Sequence, residues 1–241
     1  MTPDPNANVS RRLDPDHPRL AVLVHGLWMT GYEMGLVRQY LRRAGYRTYR
    51  FCYPSVSKPL DWNVNRLYDF VRQLPPGEVN FVGHSLGGVM IQQLLNRHPK
   101  ACTGRVVAMG SPFNGSWTAR RFSRWPLAGV TIGRSITEVM EPHEARLDAD
   151  VDFGVIAGDL SFGVARFIGG FPGPNDGTVG VEETRLKDAT DHVVQHINHF
   201  GMLSAKGSLR QMVHFLEHGR FAPAREIAKR RWQAPESAAA A

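Results

Sequence analysis

The chain has 241 residues, of which 42% are hydrophobic, and a formal net charge of +7. This length and apolar content allow one sizeable buried core, so we expect a single globular domain. The two cysteines, Cys52 and Cys102, are too few for a disulfide framework, which excludes a disulfide-stapled scaffold, and we expect both to be reduced and neither to bind zinc.

Residues 1–18 form a polar, proline-bearing segment before the predicted domain, which we place at 19–219. The segment has no apolar core of the length that a signal peptide needs, and no later run is long enough to span a membrane, so we expect a cytoplasmic protein. The first strand is predicted at 19–24, because a continuous apolar run is typical of a strand buried on both faces of a parallel sheet.

Strands and helices then alternate along most of the chain. Further strands are predicted at 46–53, 79–82, 105–109, 152–157 and 192–197, and helices at 34–41, 62–71, 89–95 and 203–216. This alternation predicts an α/β fold with a mostly parallel central sheet, right-handed crossovers and helices on both faces.

The most informative segment is Gly83-His84-Ser85-Leu86-Gly87, between the strand at 79–82 and the next helix. A turn this sharp leaves no room for side chains two positions before and after its apex, which explains the two glycines. The turn would hold the Ser85 hydroxyl clear of the backbone, at a helix N-terminus that favours developing negative charge. We therefore predict that Ser85 is a nucleophile; a chance match in a glycine-bearing loop is the alternative, and the strand and helix around it favour the nucleophile.

The segment 113–150 breaks the alternation. Its aromatic residues, Phe113, Trp117, Phe122 and Trp125, lie among arginines without the period of a strand or of one long helix. Because it follows the strand after Ser85, it should lie over the sheet edge where ligands bind. We interpret it as a small lid or the wall of an acyl pocket, with the core aromatics of an irregular insertion as the alternative.

Residues 220–241 carry much of the positive charge. The stretch 220–231 holds five Lys or Arg residues and one Glu, a net charge of +4. We interpret 220–241 as a basic, alanine-rich, solvated and disordered tail, with weak contact to an anionic membrane surface as the alternative. No nucleic-acid-binding motif accompanies the charge, so we expect no nucleic-acid partner.

Four motifs in this order give the chain a resemblance to the α/β-hydrolases that extends from about Leu20 to Leu216. They are Leu23-Val24-His25-Gly26-Leu27-Trp28, Gly83-His84-Ser85-Leu86-Gly87-Gly88, Asn175-Asp176-Gly177-Thr178-Val179 and His196-Ile197-Asn198-His199-Phe200-Gly201-Met202-Leu203. Within that superfamily the chain resembles small bacterial lipases and esterases of the lipase-like group that includes inositol-deacylase-type lipid hydrolases. The resemblance implies the α/β-hydrolase fold and a catalytic acid, then a histidine, downstream of the serine.

A serine nucleophile needs a base, and the base needs an acid to orient it. Asp176 is the predicted acid because its loop matches the acid-bearing loop of the family, and Asp159, which follows the strand at 152–157, is the alternative. His199 is the predicted base because it lies in a loop, free to reach Ser85, and matches the family histidine. Its rival, His196, falls on the predicted strand at 192–197.

The resemblance also implies an oxyanion hole made by the backbone N–H groups of Leu27 and Leu86. His25 and His84 are expected to be structural. Residues Trp28, Met29, Phe113 and Trp117 are predicted to bind substrate, and their apolar character favours a small-molecule ester or lipid with an apolar acyl group. No metal and no organic cofactor is needed.

We therefore expect a serine esterase or lipase that works through an acyl-enzyme on Ser85. A thioesterase or an acyltransferase would use the same three residues and is the first alternative. A non-catalytic binding protein on the same scaffold is the second, and its expected mark is the loss of a catalytic residue. All three residues are present in this chain.

Overall fold

The computed structural model describes residues 17–124, 135, 140–141, 143–163 and 170–223. Most of the predicted N-terminal segment 1–18 and tail 220–241 lies outside these residues, as does part of 113–150, including Trp125. Within the described residues, no helix has the length and apolar character needed to cross a membrane.

Six parallel strands form one sheet in the order β2-β1-β3-β4-β5-β6. They are β1 (Arg19–Val24), β2 (Arg47–Phe51), β3 (Glu78–His84), β4 (Val106–Met109), β5 (Phe153–Gly158) and β6 (Asp191–Gln195). The predicted α/β fold class is confirmed. The register pairs Val24 with Gly83 and His84 with Met109, so the loops that follow β1, β3 and β4 meet at one edge of the sheet.

Helices cover both faces of this sheet. They are α1 (Gly35–Arg43), α2 (Leu60–Arg72), α3 (Leu86–Arg97), α4 (Trp117–Ser123) and α5 (Lys206–His218). Buried side chains of α2 and α3 form the core on one face, and those of α1 and α5 form the core on the other. Alternate residues of β1 enter the two cores, Val22 the first and Leu23 the second, which explains its unbroken apolar run.

Among the element boundaries that differ from the predicted ones, two concern the candidate histidines. Strand β6 ends at Gln195, where the Ile197 N–H turns back to the Gln195 carbonyl at 2.8 Å, so His196 lies past the strand rather than on it. Helix α5 begins at Lys206, three residues later than predicted, because a 3-10 turn at Gly201–Leu203 precedes it. Both His196 and His199 therefore lie in the connection between β6 and α5.

Candidate active site

Ser85 is the apex of the turn between β3 and α3. Its backbone has φ 54° and ψ −124°, a conformation that side-chain-bearing residues rarely adopt. A Cβ atom at position 83 would lie 2.6 Å from the Gly88 nitrogen, and one at position 87 would lie 2.2 Å from the Val24 carbonyl oxygen. The close backbone contacts thus require the two glycines, and the strained turn holds Ser85 at the carboxyl edge of the sheet.

A buried histidine–carboxylate pair lies at the same edge. His199 Nδ1 is 2.7 Å from Asp176 Oδ2, and the two side chains are 5% and 1% exposed. The other carboxylate oxygen, Oδ1, accepts the backbone N–H groups of Thr178 at 2.9 Å and Val179 at 2.7 Å. Oδ2 accepts a hydrogen bond from His199 Nδ1–H, which leaves Nε2 as the ring nitrogen that can accept a proton.

His84 packs against this pair, with its ring centroid 4.6 Å from that of His199. Its Nε2–H donates to the His199 carbonyl at 3.1 Å, whereas its buried Nδ1 has no hydrogen-bond partner among the described residues. Burial, together with the neighbouring His199, lowers the pKa of His84 to about 3. His84 is therefore neutral near pH 7 and supports the His199 backbone, as expected for a structural histidine.

Two backbone N–H groups at this edge lack a hydrogen-bond partner within the described part of the chain. They belong to Leu27, in the loop after β1, and Leu86, the first residue of α3. Leu27 lines the cavity into which Ser85 opens, and Leu86 directly follows Ser85. Both groups are free to donate to an oxygen atom of a ligand.

Ser85 and His199 open into one cavity of about 750 Å³, a volume that includes its solvent-filled mouth. The apolar residues that line it are Leu27, Trp28, Met29, Pro112, Ala119, Phe122, Val179 and Phe200. Apart from His84 and His199, no ionisable side chain of the described residues lines it. The cavity therefore suits an uncharged, apolar group.

Two of the hydroxyl groups in the cavity wall bond within the protein, whereas the buried Thr178 hydroxyl has no hydrogen-bond partner among the described residues. The Thr118 hydroxyl donates to the Thr178 carbonyl at 2.5 Å, and the Ser116 hydroxyl accepts the Ala119 N–H at 3.2 Å as the N-cap of α4. Both bonds hold α4 in place. They reduce the number of polar groups available to a ligand, which reinforces the apolar character of the site.

Of the four residues predicted to bind substrate, Trp28 and Met29 line the cavity, and Phe113 and Trp117 do not. Phe113 is 1% exposed and packs edge-on against Phe153 of β5, with ring centroids 5.9 Å apart, so it belongs to the hydrophobic core. The ring of Trp117 packs on Phe171 at 5.0 Å instead. An aromatic side chain fits the hydrophobic core and the wall of a pocket equally well, so its type alone does not show which of the two it occupies.

Sequence reasoning interpreted 113–150 as a lid or the wall of an acyl pocket but did not identify the face of α4 that lines the cavity. Ser116, Ala119 and Phe122 line the cavity at a spacing of three residues, which places them on one side of the helix. The ring of Phe122 lies edge-on to Trp28, 6.4 Å away. The spacing was the available signal, but arginines at 120 and 121 and the shortness of α4 hide it.

Sequence reasoning also missed Glu183, which joins α4 to the loop that carries Asp176. Its carboxylate accepts the Trp117 N–H at 2.5 Å and the Gly180 N–H at 2.9 Å. Burial raises the pKa of Glu183, and these two hydrogen bonds act against that rise. Glu183 thereby fixes the wall of the cavity relative to the His199–Asp176 pair.

The alternative candidates, His196 and Asp159, pair with each other. His196 Nδ1 is 2.9 Å from Asp159 Oδ1, and the side chains are 77% and 38% exposed. Neither residue lines the cavity that contains Ser85. The structure thus brings Asp176 together with His199, and Asp159 together with His196.

Several solved structures share this fold. A lipase from Bacillus licheniformis in its mature form aligns with a TM-score of 0.61 and 22% identity over 81% of this chain and 90% of that one. A metagenomic carboxyl esterase aligns with a TM-score of 0.63 and 22% identity over 77% of this chain and 65% of that one. A monoacylglycerol lipase from Paleococcus ferrophilus aligns with a TM-score of 0.55 and 16% identity over 84% and 96%. At these identities the likeness concerns the fold alone.

No curated protein sequence matches the chain. The model of the alpha/beta hydrolase family, in contrast, matches residues 21–238, which is most of the chain. The match includes Ser85, Asp176 and His199 and all of the strands except the first two residues of β1. The chain therefore belongs to the alpha/beta hydrolase family.

Proposed function

We propose that this hydrolase cleaves carboxylic esters through an acyl-enzyme on Ser85, with His199 as the base and Asp176 as the acid. The observation that carries the proposal is the buried His199–Asp176 pair, whose histidine lines the same cavity as Ser85 in its strained turn. A lipase and a carboxyl esterase among the solved structures of this fold also support ester chemistry.

In the first half of the reaction, the Ser85 hydroxyl attacks the ester carbonyl carbon while His199 Nε2 takes its proton. Asp176 keeps the proton on Nδ1 and stabilises the imidazolium as it forms, because Oδ2 lies 2.7 Å from Nδ1. The tetrahedral intermediate then collapses: the bond to the leaving alcohol breaks, and the alcohol departs with the proton from Nε2. The acyl group remains on Ser85.

In the second half, His199 Nε2 takes a proton from water, which attacks the acyl carbon. The bond from that carbon to Ser85 Oγ then breaks, Oγ takes the proton back from Nε2, and the carboxylic acid leaves. Negative charge develops on the carbonyl oxygen in both halves. The unpaired N–H groups of Leu27 and Leu86 are the proposed donors to that oxygen, and each such donor contributes roughly a hundredfold or more to the rate. Neither half requires a metal or an organic cofactor.

The lining of the cavity supports the proposal that the protein recognises its substrate by an apolar acyl group. Trp28, Met29 and Phe122 supply apolar surface next to Ser85. The nearby hydroxyl groups of Ser116 and Thr118 bond within the protein, so they do not favour a sugar-like group. We therefore propose that the substrate is an uncharged ester or a lipid.

The direct test is hydrolysis of p-nitrophenyl esters with acyl chains graded from short to long, together with labelling by a serine-reactive phosphonate. Ser85→Ala should lose labelling and at least about 10⁴-fold in turnover, because the nucleophile is gone. Ser123→Ala is the matched control, since Ser123 is an exposed serine whose hydroxyl donates to the Arg120 carbonyl within α4. It should keep both signals.

The chain-length optimum would separate an esterase from a lipase. Turnover that persists in purified Ser85→Ala would contradict the serine mechanism. Labelling of the wild type without ester turnover would instead indicate thioester cleavage or acyl transfer. Neither labelling nor turnover in a folded sample would favour a non-catalytic binding protein.

A further inference from the structure

The loop that carries Leu27 is held from outside by the segment that follows β2. We propose that His25, Tyr53 and Ser55 are positioning residues that aim the Leu27 N–H into the cavity. This inference rests on the proposed function, in which Leu27 is an oxyanion donor. None of the three side chains lines the cavity itself.

The hydrogen bonds of His25 fix its protonation state. Its Nε2 is 3.3 Å from the Tyr53 backbone nitrogen, and because an N–H group can only donate, Nε2 is the acceptor. Its Nδ1 is 2.8 Å from the Gly26 carbonyl oxygen, which can only accept, so Nδ1 carries the proton. His25 is fully buried, and burial lowers its pKa, which keeps the ring neutral with one donor and one acceptor.

The bond from His25 to the Gly26 carbonyl sets the direction of the Leu27 N–H. The Gly26 carbonyl and the Leu27 N–H belong to one peptide plane, and that peptide is trans, so the two groups point in opposite directions. His25 Nδ1, at 2.8 Å, and the Met29 N–H, at 3.4 Å, hold the carbonyl, and the His25 side chain does not line the cavity. The Leu27 N–H must then point the opposite way to this carbonyl, and it has no hydrogen-bond partner among the described residues.

Tyr53 and Ser55 hold the loop that carries Leu27 at two further points. The Tyr53 hydroxyl donates to the His25 carbonyl at 2.9 Å, and its ring stacks on the His25 imidazole at 4.3 Å. The Ser55 hydroxyl accepts the Trp28 N–H at 3.2 Å. Trp28 has φ 60°, a strained value that this bond helps to maintain. These hydrogen bonds thus fix the backbone at His25 and at Trp28, on both sides of Leu27.

The test compares two tyrosines at opposite ends of β2. Tyr53→Phe keeps the ring but removes the hydroxyl bond to the His25 carbonyl. Tyr46→Phe is the matched control, because the Tyr46 hydroxyl is buried and has no hydrogen-bond partner among the described residues. We measure kcat and KM on the best ester of the panel, with the active enzyme counted by phosphonate titration. Tyr53→Phe should lower kcat about tenfold with KM within about twofold, since an oxyanion donor acts mainly in the transition state.

A second pair of variants keeps the proposal testable if Tyr53→Phe does not fold. Ser55→Ala removes the acceptor of the Trp28 N–H, and Ser55→Thr retains it. Ser55→Ala should lower kcat about three- to tenfold, and Ser55→Thr should restore most of it, because the hydroxyl is the required group. A purely structural role would lower the melting temperature but leave kcat per titrated site unchanged.

The outcomes separate this proposal from the proposed function. Equal kcat values in Tyr53→Phe and Tyr46→Phe, or in Ser55→Ala and Ser55→Thr, would overturn the positioning role while Ser85 stays reactive. A rise in KM with kcat unchanged would overturn it as well, because that pattern means lost substrate binding. A wild type whose Ser85 neither labels nor turns over ester would overturn the proposed function, and the positioning role with it.

Discussion

Two histidine–carboxylate pairs of nearly equal length lie in the same region, and their surroundings differ. The Nδ1 to carboxylate oxygen distance is 2.7 Å in His199–Asp176 and 2.9 Å in His196–Asp159. The side chains of the first pair are 5% and 1% exposed, whereas those of the second are 77% and 38% exposed. Water screens the second pair, so a short distance by itself does not identify a catalytic pair.

The pairs also differ in how firmly they are held. Two backbone N–H groups fix Oδ1 of Asp176, and the His199 N–H donates to the Asp176 carbonyl at 2.9 Å. The His199 carbonyl in turn accepts His84 Nε2–H. A catalytic histidine must be oriented before the reaction begins, since its orientation then costs nothing in the transition state. The comparison favours His199 for that reason as well as for its burial.

The largest effect on ester turnover should come from replacing each of the two histidines with alanine. His199→Ala should lower kcat/KM by about 10⁴-fold or more, because Ser85 loses its proton acceptor. His196→Ala should stay within about twofold of the wild type, as expected of an exposed side chain outside the cavity. Ester turnover of both variants checks this, and a large loss in His196→Ala with an active His199→Ala would reverse the assignment.

The next largest effect should come from the carboxylates. Asp176→Asn should lower kcat about 10³- to 10⁴-fold with little change in KM, because an amide NH₂ facing Nδ1 favours the wrong imidazole tautomer. Asp159→Asn, the same substitution in the exposed pair, should change kcat by less than about twofold. Steady-state kinetics on both variants measures the difference. Equal kcat values would mean that burial does not distinguish the two pairs.

The fold and the candidate residues could be predicted because their signals are local. The alternation of strands and helices is visible along the sequence, and the resulting fold class is confirmed by the six parallel strands. Ser85 and Asp176 stand in short turns whose neighbouring glycines the backbone geometry requires or favours. Such turns carry their own sequence signature wherever they lie in the fold.

The walls and supports of the site could not be predicted in the same way, because they depend on contacts between distant positions. Glu183 binds the Trp117 N–H across 66 positions, and the Tyr53 hydroxyl binds the His25 carbonyl across 28. Nothing near Glu183 or Tyr53 in the sequence indicates these partners. Phe113 shows the same limit, since its apolar character fits both the core and a pocket, and only the position of Phe153 decides between them.

The smallest effect we expect concerns His84, the neutral neighbour of the buried pair. Its pKa of about 3 lies below the ordinary 6.5, so between these values the unfolded chain binds a proton that the folded protein does not. The free energy of unfolding should therefore fall as the pH drops below 6.5. Between pH 7 and pH 5 the fall should be about 2 kcal/mol larger in the wild type than in His84→Gln, whose side chain cannot take up the proton.

Urea denaturation of both proteins at the two pH values measures that difference. Burial also lowers the pKa of His25 and His192, so both proteins should lose further stability on acidification. Glu183 acts in the opposite direction, because burial raises its pKa and the folded protein then holds its proton more tightly than the unfolded chain. These contributions are common to both proteins and cancel in the comparison. The same pH dependence in both proteins would mean that His84 takes up a proton in the folded state. Its buried Nδ1 has no partner among the described residues, so that protonation should be costly. The result would contradict the role of His84 as a neutral side chain that supports His199.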